Sequence, residues 1–301
     1  MEHYRGRFAP SPTGPLHFGS LVAALGSLLE ARAHGGEWLV RMEDLDPPRV
    51  IPGAADAILR ALEACGMEWD GPVALQSERS DAYHAALHRL RQAGRVYPCV
   101  CSRREIADSA VAGAEGPVYP GTCRQGVASS RTARAHRLDT RGAAVAFDDA
   151  IQGKIVCDLE RECGDFVLYR ADGVYAYQLA VVIDDAEQGI THVVRGADLL
   201  GSTPRQIYLQ QLLGLAQPRY LHLPVAVDER GEKLSKQTFA APVDPTRPLP
   251  ALVAALIFLG QLPPRELTRA TVRELWAWAE QNWKPERVPH VASAPVPSFG
   301  D

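Results

Sequence analysis

Two short stretches of the chain carry side chains suited to handling a phosphate. Near the N-terminus, Arg7-Phe8-Ala9-Pro10-Ser11-Pro12-Thr13-Gly14 leads into Pro15-Leu16-His17-Phe18-Gly19-Ser20. Far downstream, Glu232-Lys233-Leu234-Ser235-Lys236-Gln237 sets two lysines three residues apart in a polar loop. A loop ammonium can reach a polyphosphate and then withdraw; taken alone, the same loop is equally a routine exposed turn. Glu43, Asp44 and Asp46 follow one apolar run and Arg195 ends another. Cys99-x-Cys101 and Cys123 offer three thiolates to a metal. Zinc takes four ligands in a tetrahedron, so Tyr119 or His136 would supply the fourth; three idle buried thiols fit the same spacing.

These residues need elements to position them. The segment from Arg7 reads as a short strand, then a Pro-, Ser- and Gly-rich turn, then a helix over Leu21 to Ala33 ended by Gly35-Gly36. A strand, a small-residue turn and a helix N-terminus together make an anion site, through free amides and the helix dipole. Gly19 lets a ligand approach the backbone. An ordinary Pro-rich turn is the competing reading. Trp38 to Met42 reads as a buried strand delivering Glu43, so strand, helix and strand form a βαβ unit of a parallel sheet. Ligands bind beyond the carboxyl ends of such strands.

Further helices are predicted over Ala54 to Cys65, Asp81 to Ala93 and Pro204 to Leu213. Gly164 to Tyr177 reads as a hairpin, after which an apolar run ends at Asp184-Asp185. Strands are predicted over Thr191 to Arg195 and Leu221 to Val227, and helices within Leu249 to Trp283. From Arg103 to Arg141 apolar periodicity fades, and seven arginines face four acids. This reads as an inserted lobe with a basic face, or as an ordinary solvated surface.

The chain has 301 residues, 46% of them hydrophobic, and a formal charge of -4. It can bury a large core but is no basic coat for nucleic acid, so a polyanion site has to be local. The N-terminus is polar and no apolar run reaches the ~18 residues of a membrane span. A cytoplasmic, reducing location is therefore expected, with the six cysteines outside any disulfide framework.

The order of the motifs is more specific than any one of them. His17-Phe18-Gly19-Ser20 and Lys233-Leu234-Ser235-Lys236-Gln237 resemble the paired signatures of class I aminoacyl-tRNA synthetases. Arg7 to Gly14, Arg41-Met42-Glu43-Asp44-Leu45-Asp46 and Val194-Arg195-Gly196-Ala197-Asp198 narrow the likeness to the glutamyl branch, over roughly residues 5 to 242. The short length, Ser20 in place of a second histidine, and the Cys99, Cys101, Tyr119, Cys123 pattern resemble the glutamyl-Q tRNA(Asp) synthetases, a family without the anticodon-binding domain.

That resemblance implies an α/β fold: a Rossmann-type parallel sheet with an inserted zinc-bearing lobe and a short C-terminal helical region. The implied boundaries are 1–96 and 186–242 for the halves of the catalytic domain, 97–185 for the lobe, and 243–301 for the helical region and Pro-rich tail. It implies tRNA-independent activation of L-glutamate by ATP, with Mg²⁺ on the phosphates, then transfer to the queuosine base of tRNA(Asp). The catalytic residues would be His17 and Lys236. Glutamate would be held by Arg7, Phe8, Ala9, Pro10, Ser11, Glu43, Tyr177 and Arg195, with the arginines on its carboxylates and Glu43 on its ammonium. ATP would be held by His17, Gly19, Ser20, Lys233, Ser235 and Lys236. One structural zinc would sit on Cys99, Cys101, Cys123 and Tyr119, with Tyr119 favoured over His136. A monomer without membrane contact is expected. The alternatives are a truncated glutamyl-tRNA synthetase charging a tRNA 3′ end, a small-molecule adenylate-forming ligase of the same superfold, and a tRNA-binding regulator with a dead site.

Overall fold

The structure is a computed structural model and describes residues 3–296 apart from 110, 114–115, 128–130, 134, 229 and 233–241. Strand β1 (Arg5–Phe8) runs through the turn to helix α1 (Phe18–Ala33) and returns as β2 (Glu37–Met42). The two strands pair in parallel, Arg7 opposite Leu39. Helix α1 buries Leu21, Leu25, Leu28 and Leu29 almost completely, each contributing roughly 1.5–3 kcal/mol relative to exposure. Helix α2 (Ala54–Ala64) follows, and β3 (Ala74–Leu75) adds a third parallel strand beside β2.

After helix α3 (Ser80–Gln92), β4 (Val96–Cys99) opens the stretch read as an inserted lobe. That stretch holds α4 (Arg103–Ser109), the short pair β5 (Val111–Gly113) and β6 (Gly116–Val118), and β7 (Ala135–Leu138). Next come β8 (Ala144–Asp149), β9 (Gly153–Asp158), α5 (Leu159–Glu162) and β10 (Val167–Tyr169). Strand β7 lies between β10 and β4 in an antiparallel sheet. The β8–β9 hairpin lies elsewhere, because β8 pairs with a strand of the second half of the parallel sheet.

That second half begins with helix α6 (Tyr177–Glu187), β11 (His192–Gly196), α7 (Thr203–Leu213) and β12 (Arg219–Leu223). Its strand order is β11-β12-β8-β9, with β11 and β12 parallel. The amide of Thr191 bonds to the Arg5 carbonyl at 2.9 Å, so β11 abuts β1 and the two halves meet edge to edge. The hairpin read over Gly164 to Tyr177 is shorter than expected. Its second arm is one bridge, Tyr169 to Tyr175, and the chain then turns directly into α6. The run Leu221 to Val227 is two strands, because Pro224 has no amide to continue the ladder. Its second part, β13 (Val225–Val227), pairs instead with a C-terminal strand.

Helices α8 (Pro248–Phe258) and α9 (Val272–Asn282) pack on α1, and β14 (Ser293–Pro295) supplies the partner of β13. The Trp276 indole donates to the Cys65 carbonyl at 2.7 Å, and Trp283 donates to Glu30 at 2.6 Å. Among the described residues the apolar interior divides into three clusters: around α1, around α6 and α7, and a small one of Cys99, Val100, Tyr119 and Cys123. Among the described residues no helix is long and apolar enough to cross a membrane.

Candidate active site and metal centre

The carboxyl ends of β1, β2, β11 and β12 converge on one cavity of about 1190 Å³. Arg7, Phe8, Ala9, Pro10, Ser11, His17, Gly19, Ser20, Glu43, Tyr177 and Arg195 all line it. Every residue expected at the glutamate and nucleotide sites that lies within the described residues is therefore in one place. The turn after β1 is locked to the turn after β2, where the Glu43 amide donates to the Pro10 carbonyl at 2.9 Å.

His17 is the N-cap of α1, and its imidazole accepts from the Ser20 amide at 3.4 Å. The Ser20 hydroxyl lies 3.1 Å from the other ring nitrogen. The amides of Phe18 and Gly19 precede the first intrahelical bond, which runs from the Leu21 amide to the His17 carbonyl. Partial positive charge at a helix N-terminus favours an anion there. Lys233, Ser235 and Lys236 lie outside the described residues. The segments flanking them reach the same cavity: Glu232 lines it, and Pro242 bridges to His17.

Beneath the cavity lies a charge network that the sequence did not reveal. Arg7 is 3% exposed and grips Asp185, Nε to Oδ1 at 3.1 Å and Nη2 to Oδ2 at 3.4 Å. Arg41 is fully buried, 2.8 Å from Asp185, 3.7 Å from Asp184 and 3.4 Å from Glu43. Asp184 also accepts from Gln76, Arg79 and Tyr83 at 2.7, 2.6 and 2.9 Å. Burial alone would raise the Asp185 pKa, but Arg7 and Arg41 outweigh it and hold the carboxyl below the ordinary range. Glu43 goes the other way: burial pushes its pKa up despite Arg41 and Arg7. A desolvated carboxylate with too little compensating charge is a ready partner for an ammonium. The signal for Asp184 and Asp185 was an acidic pair closing an apolar run; Arg41 stood within a quoted motif without a role.

A second buried network supports Arg195. Its Nε donates to His222 Nε2 at 3.1 Å and its Nη1 to the Tyr177 hydroxyl at 3.2 Å. Its Nη2 donates to Thr203 at 2.9 Å and Gln206 at 2.8 Å. His222 Nδ1 lies 2.6 Å from Asp149, which also accepts from the amides of Ile151 and Gln152. Nε2 accepts from Arg195, which a neutral ring with Nδ1–H toward Asp149 satisfies, and burial lowers the His222 pKa in the same sense. No sequence pattern joins these positions.

In the lobe the Sγ atoms of Cys99, Cys101 and Cys123 lie within 4.8 Å of one another. The Tyr119 hydroxyl is 3.5 Å from Cys99 and 3.5 Å from Cys101. A tetrahedral ion at ~2.3 Å from sulfur and ~2.0 Å from oxygen requires a sulfur–oxygen edge of about 3.5 Å, so this donor set fits zinc. Arg137 stacks over Tyr119 at 4.1 Å and donates to Cys99 Sγ at 3.4 Å, placing positive charge against the thiolates. His136 is not part of this group and packs against Tyr169 instead. Within the stretch read as a basic face, Arg103 to Arg141, several arginines have acidic partners among the described residues. Arg124 pairs with Asp165, Arg131 with Glu105 and Arg141 with Asp139, while Arg137 is buried.

The comparisons with known proteins agree with this geometry. Residues 3–247 match the family described as tRNA synthetases class I (E and Q), catalytic domain. The chain is 59% identical to a glutamyl-Q tRNA(Asp) synthetase of Dechloromonas aromatica (strain RCB), over 98% of this chain and 99% of that one. It is 57% identical to a protein of the same name from Chromobacterium violaceum, over 95% of each. In structure it resembles the glutamate-tRNA synthetase of Elizabethkingia anophelis, with a TM-score of 0.81 and 26% identity, over 99% of this chain and 68% of that one. The chain therefore belongs to the class I aminoacyl-tRNA synthetases, and within them to the glutamyl-Q tRNA(Asp) synthetase family of ATP-dependent ligases.

Proposed function

We propose that this protein activates glutamate with ATP without needing tRNA, and then transfers the glutamyl group to the queuosine base of tRNA(Asp). One observation carries the first step. A single cavity is lined by a desolvated carboxylate, two buried arginines and the N-terminus of a helix. Glutamate brings an ammonium and two carboxylates, which these groups complement in sign. Glu43 takes the ammonium, Arg7 and Arg195 take the carboxylates, and Tyr177 contributes a further hydrogen bond. Segment 8–11 lines the same cavity.

The α-carboxylate then attacks the α-phosphorus of ATP, forming the acyl-phosphate bond of glutamyl-adenylate and breaking the bond to pyrophosphate. Negative charge grows on the phosphate oxygens, so fixed positive partners lower the barrier. His17, Gly19 and Ser20 supply one side; Lys236, with Lys233 and Ser235, supplies the other. ATP arrives with Mg²⁺ on its phosphates. The acyl group finally passes to a hydroxyl of the modified base, releasing AMP.

Cys99, Cys101, Cys123 and Tyr119 would hold one zinc ion, whose role is structural because four protein donors leave no position open for water. The family relationship supports the acceptor assignment. Charging tRNA(Asp) with labelled glutamate tests it, with and without queuosine and with and without prior periodate oxidation of diols. Label that requires queuosine and is lost after periodate supports the reading; label on queuosine-free tRNA(Asp) refutes it in favour of 3′-end charging.

A further inference from the structure

Arg7 and Arg195 both face the cavity, yet their charges are balanced differently. Asp185 neutralises Arg7 through two hydrogen bonds. Arg195 is only 5% exposed, and all of its acceptors are uncharged: His222, Tyr177, Thr203 and Gln206. Among the described residues no carboxylate lies within ion-pair distance of it. Asp149 is joined to it only indirectly, with the imidazole of His222 between the two charges. Four of the five guanidinium N–H groups are thereby fixed, and the remaining one belongs to the Nη1 shared with Tyr177.

The cage is itself held by neutral groups. Gln206 donates to the Gln178 side-chain oxygen at 2.9 Å, and Gln178 donates to Ser202 at 3.0 Å. This amide chain orients Gln206 with its oxygen toward Arg195. A buried cation surrounded by neutral acceptors keeps its position while its charge stays uncompensated. An acidic residue at 206 could fill the same space and accept the same bond, but it would neutralise the guanidinium.

We propose that Thr203, Gln206 and His222 form an uncharged cage that sets substrate specificity by leaving the Arg195 charge for the side-chain carboxylate of the substrate. This rests on the glutamate-activation reading above and divides the labour between the two arginines. Arg195 separates acid from amide, because glutamine leaves a buried guanidinium without a counter-charge. Arg7, already paired with Asp185, positions a carboxylate without selecting for charge.

The near-isosteric Gln206→Glu substitution tests this by ATP–pyrophosphate exchange with glutamate and with glutamine. The KM for glutamate is expected to rise roughly 10- to 100-fold, with a similar fall in glutamate-over-glutamine preference. The KM for ATP should stay within about twofold. Gln178→Glu places the carboxylate one amide further out and should act in the same direction, by roughly 3- to 10-fold. Gln206→Ala removes a bond without adding charge and should leave the preference within about threefold of wild type. The proposal is overturned if folded Gln206→Glu keeps the wild-type preference, or if Gln206→Ala loses as much as Gln206→Glu. Should Gln206→Glu fail to fold, an unchanged preference in Gln178→Glu overturns it. A wild-type protein without glutamate-dependent exchange refutes the activation reading itself and the cage with it, so the two failures are distinguishable.

Discussion

Replacing Glu43 with glutamine removes a charge while keeping shape and one acceptor oxygen. Among the described residues its carboxylate is within ion-pair distance only of Arg41, at 3.4 Å. Arg41 keeps Asp185 at 2.8 Å and Asp184 at 3.7 Å in the variant, so the network beneath the cavity survives. The loss then falls on the substrate ammonium. A hydrogen bond between charged partners contributes roughly 1.5–3 kcal/mol, or about 10- to 150-fold in affinity. Glu43→Gln should raise the KM for glutamate by that factor in ATP–pyrophosphate exchange, leaving the KM for ATP within about twofold. Glutarate, which lacks the ammonium, provides the cross-check as an inhibitor. In the wild type it leaves the desolvated Glu43 carboxylate unmatched; in Glu43→Gln that penalty is gone, so glutarate should bind equally well or better. If the substitution weakened glutamate and glutarate in parallel, Glu43 would not be the ammonium's partner.

Three further outcomes are expected. Lys236→Ala should lower the activation rate far more than glutamate affinity; equal losses in both would show that its role is misplaced. Metal analysis should find about one zinc per chain, lost in Cys101→Ser together with protease resistance of the lobe around Cys99 and Cys123; unchanged zinc content refutes the ligand set. Acid unfolding should depend on His192, whose pKa is pushed down to about 4 by burial, then by Arg219 and His34. Below pH ~6.5 the unfolded imidazole takes a proton that the folded one refuses until about pH 4. Stability from this group is present above that window and falls as pH drops through it, so His192→Phe should flatten the pH dependence of the unfolding midpoint; an unchanged slope would refute the assignment.

The β1–α1–β2 unit was legible because apolar runs with helical and strand periods are broken by Gly and Pro at the expected places. The cavity lining was legible because most of it comes from two short motifs and two strand ends. Helix α6 was harder. Val181-Val182-Ile183 is a β-branched run following an aromatic stretch, and the start of α6 has no side-chain cap. Burial of Leu179 through Ile183 against the second cluster overrides that weak propensity. With α6 unassigned, nothing pointed Asp185 at Arg7, 178 residues away. Asp149 and His222 were hidden for a related reason: they meet through the single pairing of β8 with β12, a contact no local pattern encodes. The acidic partners of Arg124, Arg131 and Arg141 were hidden as well, because composition counts charges without showing how they pair.

On the proposed reading, these buried groups let an amino-acid pocket choose a doubly acidic substrate. Glu43, Arg41, Asp185 and Arg7 form a chain of alternating charge, and its two ends open on the cavity. An ammonium at Glu43 and a carboxylate at Arg7 would close that chain with signs still alternating. Such a chain fixes the spacing between two substrate charges but is balanced overall, so it recognises an amino acid without saying which one. The second carboxylate has to be read elsewhere, and Arg195 is a buried cation lining the cavity without a carboxylate partner among the described residues. A hydrophobic pocket discriminates weakly between isosteres, whereas a buried charge that only one of them can match discriminates strongly. Under the proposed division of labour, selectivity for the acid over its amide follows from where carboxylates are placed and where they are left out: Asp185 beside Arg7, and none beside Arg195 among the described residues.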